Sequence, residues 1–210
     1  MTLNGITIPD SGIAKEATEL VRDVATEFVF DHSSRVYFFA ALRGDKEGLS
    51  YDPEILYVSA MFHDLGLTDK YMSDDQRFEV DAADVAHEFL TSHGLPEAKA
   101  RTAWLAIALH TTPGIPLHME PEVALTTRGV EMDVMGLDFD AYSPAERDAV
   151  TALHPRVNFK EAVIDSFYQG LKHRPATVFG NIKSDVLADR DPSFERENFV
   201  DKIRNSAWPE

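Results

Sequence analysis

Apolar residues recur at steps of three and four along most of the chain. Over residues 11–29, Ile13, Ala17, Leu20, Val21, Val24 and Phe28 form one helical stripe, which Asp10 or Ser11 can cap. The stripe resumes over Ser34–Leu42 with Val36, Tyr37, Phe39 and Ala40; His32 falls between the two runs, and Gly44 and Gly48 punctuate the loop that follows. Asp52-Pro53-Glu54 supplies a cap, a first-turn proline and an acid, and predicts a helix over Ile55–Asp64 ending near Gly66. Asp74 or Asp75 is expected to open the next helix, which carries Phe78, Ala82, Val85, Phe89 and Leu90 to a stop at Gly94. Further helices are predicted over Glu97–His110 after Pro96, over Pro121–Met135 before Gly136, from Ser143-Pro144-Ala145-Glu146 to His154, and over Phe159–Lys172. A last one is expected at about Phe194–Asn205. No segment alternates like a strand, and there is no repeat or low-complexity linker, so the pattern predicts one all-α domain.

Composition narrows the partners rather than the fold. At 210 residues, 44% apolar and 27% charged, the chain can build a full core. The absence of cysteine excludes disulfides and thiolate metal sites. A net charge of −16 argues against nucleic acid, whose phosphates need a basic face. No apolar run reaches the length of a membrane span, and Met1–Gly5 has neither the basic nor the apolar region of a secretory leader. The expectation is a cytosolic protein acting on a small molecule, with no nucleic-acid or membrane partner. The apolar residues of the tail, Phe194, Phe199, Val200 and Ile203, are expected to pack on the domain or on a second copy of the chain.

Candidate chemistry begins with His63-Asp64, placed inside the apolar run Val58–Leu67. Burying both costs several kcal/mol unless something pairs with them. A divalent cation would, and His32 upstream and Asp133 downstream could complete its surroundings. Imidazole nitrogen with carboxylate oxygen suits Zn²⁺, Fe²⁺ or Mn²⁺. Neighbours on a straight helix point about 100° apart, so His63 and Asp64 can share one ion only beside a relaxed helix end, which Gly66 could provide.

The order His32…His63-Asp64…Asp133 on consecutive helices resembles the HD-domain superfamily of metal-dependent hydrolases. The stretches Asp31–Tyr37, His63–Thr68, Phe78–Ala82 and Ala106–Thr111 resemble its cyanamide hydratase branch. The resemblance spans about residues 20–175, leaving 176–210 as a helical extension of one HD domain over 1–210. It implies an all-α bundle around a single ion, zinc first, with His32, His63, Asp64 and Asp133 as ligands and His110 lining the substrate pocket. Two-metal relatives carry a histidine where this chain has Phe78; a phenyl ring cannot bind metal, which favours one ion. His87, His93, His118, His154 and His173 are read as helix-surface, helix-end or loop residues.

The chemistry expected is hydration of a small nitrile-like compound, cyanamide to urea in the first instance. A bound divalent ion lowers the pKa of water, Asp64 and His110 are the catalytic candidates, and His110 delivers or positions the proton for the nitrile nitrogen. Thr111 and Thr112 either orient substrate or cap local backbone. Glu79 is read either as an acid behind the metal ligands or, more simply, as a solvated charge at a helix start, and Tyr37, Phe38, Phe39, Phe62, Phe78 and Trp104 as core that could also wall a dry pocket. Two alternatives stand beside this reading. A phosphohydrolase is weakened by the lack of a basic cluster, since only Arg35, Lys70 and Arg77 lie near the motifs. A non-catalytic binding protein would keep the ion as a strut.

Overall fold

The computed structural model of the chain describes residues 2–205; Met1 and the last five residues of the tail lie outside it. Among the described residues there are ten α-helices: α1 (Gly12–Val24), α2 (Glu27–Glu47), α3 (Pro53–Phe62), α4 (Phe78–Ser92), α5 (Glu97–Leu109), α6 (Pro121–Met135), α7 (Pro144–Leu153), α8 (Phe159–Leu171), α9 (Ser184–Arg190) and α10 (Phe199–Arg204). The all-α expectation holds, apart from a two-residue hairpin of β1 (Thr2–Leu3) and β2 (Ile6–Thr7) at the N-terminus. Its turn is Asn4-Gly5, both at positive φ, a hairpin signal too short to register as strand alternation. None of the described helices is long and apolar enough to cross a membrane.

α2 is the spine. It starts earlier than the apolar stripe suggests, because Thr26 caps it through Val29 N at 3.3 Å and breaks it from α1. His32 therefore lies inside the helix rather than between helices. α2 runs through Gly44 to a left-handed Gly48, and is buried on nearly every face. α6 packs tightly along it because Gly129 has no side chain: a Cβ there would stand 2.4 Å from the Val36 carbonyl oxygen. That close approach brings Asp133 of α6 against His32 and Arg35 of α2. α3, capped by Asp52 with Pro53 in its first turn, is buried along its length from Ile55 onward and packs against α1, α2, α5 and α6.

The start of α4 is a correction. Neither Asp74 nor Asp75 caps it; the helix begins at Phe78 behind Arg77. The reason is tertiary. Gly66 lies so close to this helix start that a Cβ on it would fall 2.0 Å from the Phe78 carbonyl oxygen. Arg174, 2% exposed, spans the same junction. Its guanidinium donates to the carbonyls of Gly66 at 2.6 Å, Gln76 at 3.0 Å and Gly170 at 2.9 Å, and pairs with Asp81.

The C-terminal part also departs from the expected single helix over 194–205: α9 precedes it, and α10 is confined to Phe199–Arg204. Leu187 of α9 joins Phe78, Leu171 and Val178 in a second apolar cluster, so the extension packs on the domain there. Phe199, Val200 and Ile203 remain exposed.

Gly66→Ala should destabilise the fold by about 2–3 kcal/mol through overpacking at this junction, with Gly129→Ala comparable; chemical unfolding midpoints will measure both.

Candidate metal centre

Four helices present the site, and two of them do so by the same local device. His63 follows the last residue of α3 and His110 the last residue of α5; each keeps near-helical backbone and turns Nδ1 back to the carbonyl three residues earlier, Ala60 at 2.7 Å and Ile107 at 2.6 Å. A carbonyl only accepts, so each Nδ1 carries the hydrogen and each neutral ring presents its Nε2 lone pair to the interior. His32, in the second turn of α2, is fixed likewise by the Asp133 carboxylate, Nδ1 to Oδ2 at 2.6 Å.

The three Nε2 atoms gather around Asp64, which leaves α3 with φ −104° and ψ 7° and leads into a short 3-10 turn at Leu65–Leu67. His32 Nε2 and His63 Nε2 are 3.1 Å apart; they lie 3.6 and 3.3 Å from Asp64 Oδ2, and His110 Nε2 lies 3.7 Å from Oδ1. Asp64 Oδ1 is buried with no donor. Lone pairs face lone pairs and carboxylate oxygens with no hydrogen to share in the neutral tautomers, an arrangement that fits a cation and little else. His32, His63 and Asp64 each offer one ligand atom, all within 4.8 Å of one another and all buried. The relaxed helix end that a shared ion requires is thus present at His63-Asp64.

Asp133 is not among these converging atoms. It stands behind His32, where Arg35 donates from Nε at 2.8 Å and from Nη2 at 3.0 Å, and Arg156 completes the clasp. Phe159 packs on the His32 ring at 5.5 Å and lies under both guanidinium groups, at 4.9 Å for Arg35 and 3.9 Å for Arg156. Neither Arg156 nor Phe159 drew notice in the sequence; Arg35 could have, since three residues after His32 puts it on the same helix face.

Electrostatics follow from burial set against these partners. Burial, then the charge of His63, holds His110 down to about 4. Burial also lowers His32, against the opposing pull of Asp133. It acts downward on His63 too, but the charge and hydrogen bond of Asp64 outweigh it and leave that ring raised. Burial alone would raise Asp64 and Asp133; His63 for the first, and His32 with Arg35 for the second, hold both well below the usual carboxylate range.

Phe78 stands edge-on to His110 with ring centres 5.6 Å apart. Its neighbour Glu79 is not the solvated charge expected; it is 0% exposed. The cause is Lys183, delivered from the extension, whose Nζ lies 2.5 Å from Glu79 Oε1 and 2.8 Å from Thr111 Oγ1. Thr111 donates in turn to Glu79 rather than capping local backbone. Burial opposes ionisation of Glu79, but the Lys183 charge, the nearby His110 and Arg77 bring it down to about 2. Four of the remaining histidines have partners of their own: His87 pairs with Glu97, His93 with Glu16, and His154 with Asp31, while His173 meets the Ser73 carbonyl. Tyr37, Phe38, Phe39 and Phe62 are core, and Trp104 donates to Asp84.

The family model of the HD domain matches residues 29–135, just over half of the chain, and the chain belongs to this family. HD-domain proteins are mostly metal-dependent hydrolases. The matched span carries His32, His63, Asp64, His110 and Asp133, and stops short of Arg156, Phe159 and Lys183. No curated protein matches the chain.

Two outcomes follow. Glu79 titrates near 4.5 in the unfolded chain and about 2 in the folded one, so it stabilises the fold above pH 4.5 and loses that effect as pH falls toward 2. The loss is on the order of 3 kcal/mol and should be absent in Glu79→Gln, read from denaturant midpoints between pH 5 and 2.5. In a chelator competition titration, His63→Ala and Asp64→Ala should abolish tight binding of the divalent ion, whereas Asp133→Asn should weaken it by about 10–100-fold, the cost of losing a carboxylate that orients a ligand.

Proposed function

We propose that this protein is a metal-dependent enzyme that adds water to a small, uncharged nitrile-like molecule, with cyanamide converted to urea as the leading case. In this reading His32, His63 and Asp64 hold one divalent ion, zinc first and Fe²⁺ or Mn²⁺ as alternatives. Asp133 fixes the His32 ring from behind, in place of the direct ligand role its position in the motif implies. A divalent ion bound there lowers the pKa of a water toward neutrality.

The chain's own residues then handle position and protons. Asp64 turns Oδ2 toward the ion site and keeps Oδ1 3.7 Å from His110 Nε2, so the carboxylate and the imidazole can face the same water from adjacent sides. With Nδ1 tied to Ile107, His110 has Nε2 free to accept the water's proton and pass it to the nitrile nitrogen. Water oxygen bonds to the carbon, both hydrogens finish on the nitrile nitrogen, and both C–N π bonds are consumed as a C=O double bond forms. Phe78 closes the far side of His110 and keeps a second ion out.

The observation that carries this reading is that the nearby cations are already engaged by carboxylates. Arg35 and Arg156 hold Asp133, Arg174 holds Asp81, and Lys183 and Arg77 hold Glu79. A phosphoester at the ion would find no uncommitted basic group to meet its charge, whereas a neutral C≡N compound needs none. One feature favours the phosphohydrolase instead: a cleft of about 1060 Å³ beside Thr111 and Thr112, lined by Arg77, Arg196, Phe179 and Phe194, has room for a larger ester.

Elemental analysis paired with a cyanamide-to-urea assay tests the proposal. About one divalent ion per chain and urea formation are expected, both lost in His63→Ala. His110→Ala should keep the ion and lose about 10²–10⁴ in kcat. No urea from fully loaded protein, together with phosphate release from a nucleotide panel, would transfer the assignment to the phosphohydrolase.

A further inference from the structure

Glu79 has no part in the chemistry above, yet it is a fully buried carboxylate beside it. Its two oxygens differ sharply. Oε1 collects Lys183, Arg77 at 3.0 Å and Thr111. Oε2 is equally buried and has no donor at all. Buried carboxylate oxygens are rarely left so, because the lost solvation goes uncompensated.

The surroundings of Glu79 lead to His110. Thr111, which donates to it, is the residue after His110, and Phe78, which precedes it, packs edge-on to the His110 ring. Asp64 Oδ1 is the other donorless carboxylate oxygen near that ring. An ion at His32, His63 and Asp64 would draw on Asp64 but would leave Glu79 Oε2 wanting a hydrogen.

We infer that Glu79 is a substrate-recognition residue whose Oε2 accepts an N–H of the bound molecule. The site therefore selects small compounds carrying an amino or amido group next to the reacting carbon over their methyl counterparts. Lys183 acts through Glu79 as a positioning residue: it holds Oε1 and leaves Oε2 without a donor from the protein. This inference rests on the hydration reading for the identity of the reacting carbon, but not for the N–H preference itself.

Urea and acetone separate the two ideas. They have the same shape and the same carbonyl acceptor, and differ in NH₂ against CH₃. Binding to metal-loaded protein is measured by protein-observed NMR titration. Wild type is expected to prefer urea over acetone by at least about tenfold, the size of one hydrogen bond to a charged group. In Glu79→Gln the Lys183 and Arg77 donors retain the amide oxygen, so the amide NH₂ takes the place of Oε2 and meets the ligand donor to donor. The preference should fall to about one while acetone binding is unchanged. Should the single variant fail to fold, Glu79→Gln with Lys183→Met removes both buried charges and carries the same expectation. Equal affinities in wild type, or a preference that survives in the variant, overturn the inference. A urea preference that depends on Glu79, in a protein that makes no urea from cyanamide, overturns the hydration reading and leaves the inference standing.

Discussion

Everything in this molecule is arranged around a cluster of electron pairs that repel one another. His32, His63 and His110 each commit Nδ1 to a fixed acceptor, so in their neutral tautomers the Nε2 atoms have only lone pairs to offer one another and Asp64. In an interior that excludes water such a cluster is strongly unfavourable alone. It becomes favourable when a cation enters. The backbone fixes the cluster, because two of the rings are held by their own helix ends, and those ends are brought together by the packing of α3 and α5.

The same constraint explains the density of buried ion pairs around the centre. Asp133, Asp81 and Glu79 are each answered by at least one buried or half-buried cation: Arg35 with Arg156, Arg174, and Lys183 with Arg77. Such pairs add little net stability over apolar packing, but removing one partner strands a charge at a cost of roughly 3–5 kcal/mol. They make the geometry strict. They also commit these cations to carboxylates, which is the observation behind the proposal of an uncharged substrate. Three of the cations, Arg156, Arg174 and Lys183, come from beyond the matched HD segment, so the C-terminal part is built into the centre rather than appended to it.

Much of the fold was legible because it rests on local signals. Ser11, Asp52 with Pro53, and the Ser143–Glu146 capping box mark helix starts that the structure keeps, and Gly48 and Gly136 supply left-handed ends. Errors fell where a distant contact overrode a local cue. Asp74 and Asp75 look like caps, yet α4 starts at Phe78 because Gly66 and Arg174 seat that turn. Within the candidate site, His63-Asp64 stood out because a charged doublet inside an apolar run demands a partner. His32 and His110 were legible only through the motif order. Glu79 was misread, since nothing in Arg77-Phe78-Glu79 announces a lysine more than a hundred residues away.

The sequence by itself determined most of the helices, several of their caps and the identity of the groups that could bind a cation, because these depend on spacing and on the chemistry of neighbours along the chain. Tertiary structure alone decided which atoms converge. It set Asp133 behind His32 rather than among the facing atoms, buried Glu79 under Lys183, and left one oxygen of Glu79 without a donor. Those outcomes depend on the close approach of α2 to α6 at Gly129 and of Gly66 to α4, distances of a few ångströms that no pattern along the chain encodes.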